Sequence, residues 1–195
     1  MTAEAAGSVR SFGAVLLAGG KSTRMGRDKA LLPLPDGRLL WQRQLAVLEA
    51  LEPTELFISG PARDGCAPAV TRLEDERPGL GPLSGIAAAL AALQTSHLVV
   101  LAIDMPLMTA TFLRRLLDTC EDGAGAVPRH GGDGHCEPLA AVYPRACLPL
   151  ATRQLQAREL SLQSFVRAAG SLLRFHQIAS DEKPLFANWN RPTPG

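Results

Sequence analysis

The chain has 195 residues, 46% of them hydrophobic, with a formal net charge of +1. That length suits one domain, burying roughly 70% of the surface an unfolded chain exposes, and the near-neutral balance gives no electrostatic reason to expect nucleic acid or an anionic membrane as partner. Cys66, Cys120, Cys136 and Cys147 show no C-x-x-C spacing, which argues for reduced thiols in a cytoplasmic protein and against a disulfide scaffold.

Residues 1–10 carry Glu4 and no long apolar core, so they read as a disordered lead-in and not as a secretory signal, with a single domain over 11–195. From there, apolar runs of strand length fall at 14–17, 56–59, 69–73, 97–103, 125–128, 139–143 and 173–178. Amphipathic stretches of helix length fall at 40–51, 84–94, 110–119, 145–157 and 161–169. In the first of these, Leu40, Leu45, Leu48 and Leu51 gather near one helical face. Ser84 and Thr109 are candidate N-caps for the second and third. The longest apolar run, 86–93, is far too short to span a bilayer. Strands alternating with helices predict an α/β sandwich with a mainly parallel sheet. In such open sheets ligands bind beyond the carboxyl ends of the strands. The loop after 14–17 and Asp104 after 97–103 both leave such ends, so both are expected to face one crevice.

The first loop is the most informative segment. The apolar run stops at Gly19 and Gly20, and a polar stretch follows, Lys21-Ser22-Thr23-Arg24-Met25-Gly26-Arg27-Asp28-Lys29. Glycine lets backbone N–H groups approach a ligand closely, and such groups with nearby Lys and Arg form an anion cradle. Gly20-Lys21-Ser22 mimics the tail of a Walker A loop, but that motif needs glycine at position 15, which is Val15. The G-x-G-x-x-G dinucleotide fingerprint is absent as well, because Gly19 and Gly20 are adjacent. Taken alone, each cation suits an ordinary solvated loop; together they suit a nucleotide's phosphates. At the end of 97–103 a lone Asp104 followed by Met105-Pro106 could cap the next helix. A hard cation such as Mg²⁺, held by one or two carboxylates plus substrate phosphates, is the other reading.

The pattern L-A-G-G-x-S-x-R-M-G-x-D-K, from Leu17 to Lys29, resembles the N-terminal signature of the molybdenum cofactor guanylyltransferases, within the wider nucleotidyltransferases. Gly81-Pro82-Leu83-Ser84-Gly85 resembles the family's G-P-L-[AS]-G, and Phe186-Ala187-Asn188-Trp189-Asn190-Arg191-Pro192 resembles F-x-N-[IVL]-N-T-P, with Arg191 in place of the usual Thr. Family members commonly continue past this point into another helix. The resemblance runs from Val15 to Pro192 and implies a three-layer α/β/α sandwich with a Rossmann-like nucleotidyltransferase sheet. It implies phosphate and nucleotide contacts from Leu17, Ala18, Gly19, Gly20 and Lys29, with Arg24 and Lys29 acting on the reacting phosphates. Asp75 is placed by it at the guanine nucleotide, and so is Gly81. Ser59 stands where the family has Asn. The metal falls to Asp104, completed by Asn190, with Asn188 the next choice. The ion implied is Mg²⁺, with Mn²⁺ as the alternative.

The activity implied is transfer of GMP from GTP to molybdenum-bound molybdopterin (Mo-molybdopterin), releasing pyrophosphate. Transient contact with other molybdenum cofactor proteins and with target molybdoenzymes goes with it. The alternatives are a cytidylyltransferase on the same cofactor, a sugar- or alditol-phosphate nucleotidyltransferase, or a non-catalytic protein that only binds guanine nucleotide or cofactor. Gly20 and the Asp28-Lys29 pair argue against the other transferases. The segment from His130 through His135 to Glu137 lacks structural-zinc spacing; the resemblance sets it beside the pterin end, as a loop over the acceptor. His97 and His176 read as core or edge histidines.

Overall fold

In the computed structural model the first apolar run becomes β1 (Gly13–Leu17), well inside a sheet of seven strands. The structure describes residues 11–19, 28–61, 65–74, 79–131 and 134–189. The remaining strands are β2 (Glu55–Ser59), β3 (Val70–Leu73), β4 (His97–Ala102), β5 (Gly125–Arg129), β6 (Ala140–Pro144) and β7 (Leu173–Gln177). The helices are α1 (Leu40–Glu49), α2 (Pro82–Ala92), α3 (Ala110–Asp118), α4 (Leu148–Gln156) and α5 (Leu162–Ala169). Every strand and helix expected from the sequence is present, with ends shifted by a few residues at most.

Side chains of β1 alternate between two cores because successive strand residues point to opposite faces. Ala14 and Leu16 join Trp41, Leu45 and Leu48 of α1 and Phe112, Leu113, Leu116 and Leu117 of α3. Val15 and Leu17 join Leu83, Ile86 and Leu90 of α2, Ala151 of α4, and Phe165 and Val166 of α5. β4 divides in the same way, with Val99 and Leu101 on one side and Leu98 and Val100 on the other. The sheet is therefore covered on both faces, the three-layer α/β/α arrangement.

Strand order is β3-β2-β1-β4-β6-β5-β7. β1 pairs in parallel with both β2 and β4, β2 with β3, and β5 with β7. β6 runs antiparallel to both of its neighbours, β4 and β5. Among the described residues no helix separates β5 from β6, and so short a connection suits antiparallel neighbours. From β1 the chain builds outward to β3, then returns to lay β4 on β1's other side. The strand order thus reverses between β1 and β4, and their carboxyl ends flank the switch point where open α/β sheets bind ligands.

Three local details differ from or sharpen the sequence reading. Thr109 does cap α3, its Oγ1 accepting from Phe112 N–H at 3.2 Å. Ser84 does not cap α2: the helix begins a turn earlier, with Gly81 as N-cap (φ +70°) and Pro82 in the first turn. Proline's fixed φ suits the first helical position, where its missing N–H leaves no bond unmade. His97 is fully buried, with Nε2 donating to the Ala124 carbonyl at 3.2 Å.

Candidate active site at the switch point

Backbone bonds stitch the exits of β1, β2 and β4 together. Ile103 N–H donates to the Leu17 carbonyl (3.1 Å), Ala18 N–H to the Ser59 carbonyl (2.8 Å), and Ala102 N–H to the Leu139 carbonyl (2.8 Å). Leu17, Ala18, Gly19, Ser59 and Asp104 therefore lie at neighbouring strand ends, although distant in sequence. The Ala18 N–H is engaged by the Ser59 carbonyl and so is not available to an anion. Gly60 packs against that point with φ +136°; a Cβ there would lie 2.8 Å from Gly19 N and 2.9 Å from the Ala18 carbonyl carbon. Gly85 serves the same closeness from the helical side, since its Cβ would stand 2.9 Å from both Ser59 Oγ and Leu17 Cδ2.

Lys29 opens a 3-10 helix (Lys29–Leu31), in which Asp28 Oδ1 accepts from Ala30 N–H at 3.0 Å. Ala30 is buried and Lys29 is half-buried. The Asp28-Lys29 pair thus has a local logic: the acid caps the turn on which the cation stands. Leu40 N–H donates to the Leu32 carbonyl at 2.9 Å and joins this turn to the start of α1.

Asp104 is half-buried just past β4. Its carbonyl accepts from Trp189 N–H at 3.0 Å, which brings the Phe186-to-Trp189 segment, with exposed Asn188, beside it. Phe186 is anchored by an edge-on contact with Phe112, centroids 5.3 Å apart. Among the described residues no group of three or more His, Cys, Asp or Glu could hold a metal ion. One hard carboxylate oxygen donor at a strand end fits Mg²⁺, which keeps water and substrate phosphates in its shell and needs no all-protein cage.

Ser59, Leu73, Glu74, Leu80, Ser84 and Gly85 line part of a cavity of about 520 Å³ that runs on between α2 and α4. Arg72 stands at its rim, its Nε donating to the Gly60 carbonyl (3.3 Å) and its Nη2 3.1 Å from Glu74 Oε1. The ends of the His130–Glu137 connection are held by one internal contact and by β6 and α5. His130 Nε2 lies 2.7 Å from Glu137 Oε1, Tyr143 Oη donates to the Pro138 carbonyl (2.8 Å), and Gln163 Nε2 donates to the Cys136 carbonyl (2.7 Å). Gly20, Arg24, Asp75 and Asn190 lie outside the described residues. The sequence reading missed Gly60 and Arg72 as neighbours of the site, and also Gln44, whose buried amide reaches the Asp104 turn. A glycine directly after an apolar strand was the available signal for Gly60; Gln44 had none.

No helix among the described residues is long and apolar enough to cross a membrane. Residues 14–174 match the MobA-like NTP transferase domain. A probable molybdenum cofactor guanylyltransferase of Opitutus terrae is 44% identical, the match covering 91% of this chain and 89% of the relative. The molybdopterin-guanine dinucleotide biosynthesis protein A of Archaeoglobus fulgidus superimposes with a TM-score of 0.72 at 21% identity, over 92% of this chain and 93% of its own. A Mycobacterium tuberculosis protein solved in complex with manganese superimposes with a TM-score of 0.62 at 22% identity, over 86% and 88% of the two chains. A matching domain spanning most of the chain, together with a relative this similar over nearly its whole length, makes the assignment: the chain belongs to the MobA-like NTP transferase family.

Proposed function

We infer that this protein transfers GMP from GTP to Mo-molybdopterin, releasing pyrophosphate and forming molybdopterin guanine dinucleotide. One observation carries the reading in the structure: the glycine-bearing exit of β1 and the carboxylate beyond β4 leave adjacent strand ends at the topological switch. An oxygen of the acceptor's terminal phosphate bonds to the α-phosphorus of GTP as the α–β phosphoanhydride bond breaks, and the electron pair departs with pyrophosphate. The acceptor oxygen is already anionic, so no strong general base is required; positioning and charge neutralisation dominate.

In this reading the amides from Gly19 through Gly20, with Arg24 and Lys29, take the triphosphate. Ser59, which lines the cavity beside α2, takes guanine and ribose together with Asp75 and Gly81. Asp104, completed by Asn190, holds Mg²⁺, or Mn²⁺ in its place; the manganese complex of a structural neighbour supports an ion of this kind. When bound, the ion polarises the α-phosphate and offsets its charge. The residues from 11 to 195 act as one nucleotidyltransferase domain. The reaction belongs in the cytoplasm, with transient contact to other molybdenum cofactor proteins and to target molybdoenzymes.

The test is pyrophosphate release with Mo-molybdopterin as acceptor, run side by side with GTP, CTP and ATP in the presence of Mg²⁺, on wild type and Asp104→Ala. GTP-selective turnover in wild type, lost in a folded Asp104→Ala variant, is expected. Preference for CTP, or full guanylyl transfer by the variant, overturns the substrate or the metal assignment respectively.

A further inference from the structure

We propose that Gln44, in the middle of α1, is a positioning residue that fixes the turn bearing Asp104 for its divalent cation. The proposal rests on the reading of Asp104 as the metal carboxylate. Gln44 is fully buried, and a buried amide is costly unless its hydrogen bonds are made. Its Nε2 donates to the Met105 carbonyl at 2.8 Å and reaches the Ala102 carbonyl at 3.4 Å. Those two carbonyls bracket Ile103 and Asp104. Arg43 Nη1 lies 2.9 Å from Gln44 Oε1. A guanidinium only donates, so it fixes the amide with oxygen outward and NH₂ toward the turn.

The rest of the turn is clamped by backbone: Ile103 N–H on the Leu17 carbonyl and Trp189 N–H on the Asp104 carbonyl. Gln44 adds the contact from the helix layer. The first residue of its helix is tied to the end of the Lys29 turn by Leu40 N–H on the Leu32 carbonyl. One rigid helix therefore ties the turn carrying the cation to the turn carrying the acid. A role in packing alone would be met by a methionine of similar shape; a role in orientation would not.

The experiment measures binding of the Mn²⁺–GTP complex, and of GTP without divalent ion, to wild type, Gln44→Met, Arg43→Met and Asp104→Ala. Groups that orient a metal ligand typically carry a tenfold or greater share of metal affinity, so Gln44→Met is expected to weaken Mn²⁺–GTP binding by about tenfold and Arg43→Met by about threefold. Metal-free GTP binding should stay within about twofold of wild type in both, since the proposed role acts through the metal carboxylate. Unchanged Mn²⁺–GTP affinity in Gln44→Met, beside a clear loss in Asp104→Ala, overturns the role of Gln44 and leaves the Asp104 reading standing. No loss in Asp104→Ala overturns both. Parallel loss of metal-bound and metal-free GTP in Gln44→Met points to collapse of the site and also overturns the proposal. Should Gln44→Met fail to fold, Arg43→Met decides, and wild-type Mn²⁺–GTP affinity there overturns it.

Discussion

Gly60→Ala tests whether the close approach of the β1 and β2 exits shapes the nucleotide site. Gly60 sits at φ +136°, and the three atoms nearest an added Cβ are all backbone: Gly19 N at 2.8 Å, the Ala18 carbonyl carbon at 2.9 Å and its oxygen at 3.0 Å. None of these three can be moved by rotating a side chain. Holding a non-glycine residue at such a φ costs about 1–3 kcal/mol, and forcing atoms into a closed space adds about 1–3 kcal/mol. The sum is about 2–6 kcal/mol if nothing moves. Relief requires the two exits to separate, and that strains the Ala18 N–H bond to the Ser59 carbonyl (2.8 Å) and shifts the amide of Gly19.

Stability and function should therefore fall together. At about 2–4 °C per kcal/mol for a domain of this size, the melting temperature drops by roughly 5–20 °C. If only about 1.4 kcal/mol of the strain is expressed as a misplaced phosphate cradle, KM for GTP rises about tenfold. Gly37→Ala is the control: Gly37 also has positive φ (+81°), but a Cβ there meets nothing within 4 Å. It isolates backbone strain from collision and should leave KM unchanged. Thermal melts and pyrophosphate-release kinetics on both variants decide. If Gly60→Ala melts like Gly37→Ala and keeps wild-type KM, the exits are not coupled as argued.

Lys29→Ala should lower kcat/KM for GTP by about 10²–10³-fold, the usual loss for one preorganised group facing developing charge; unchanged GTP affinity and rate would remove Lys29 from the site. In a native thiol titration near pH 8, half-buried Cys66 should react, whereas Cys136, Cys120 and Cys147 should wait for denaturant, because they are buried and burial pushes the latter two thiols up to about 12. Four reactive thiols in the native protein would contradict the packing. Burial works against the charge of Glu182, but the Ala179 N–H together with Arg115 and His176 outweighs it and lowers the carboxyl below its ordinary 4.5. A lowered folded value stabilises above the unfolded one and is lost as pH falls through the folded one, so urea midpoints should fall from about pH 4.5 downward, and Glu182→Gln should flatten that limb. An identical acid limb in the variant would refute the assignment.

What could be read from the sequence follows from how far each signal reaches along the chain. The β1 loop, the carboxylate after β4 and the alternation of strands with helices are local patterns, and the rule that ligands gather at carboxyl strand ends joins the first two at one crevice. The start of α2 is local as well, and its better marker is Pro82, two residues before Ser84: Gly81 caps the helix and the proline opens its first turn. The direction of β6 was implied by its helix-free connection to β5, but its place between β4 and β5 is set by pairing that no local pattern encodes.

Gln44 shows the limit most clearly. Within α1 a glutamine beside Arg43 looks like part of a solvated face, and the carbonyls it holds lie 58 and 61 residues away. Reacting groups recur in recognisable short motifs because chemistry fixes their type and spacing. The groups that hold them need only supply a donor at the right point in space, which many residues at many positions can do. A site's chemistry is thus legible in sequence well before its bracing. In this fold the bracing comes from α1, a helix whose apolar face alone would explain its presence.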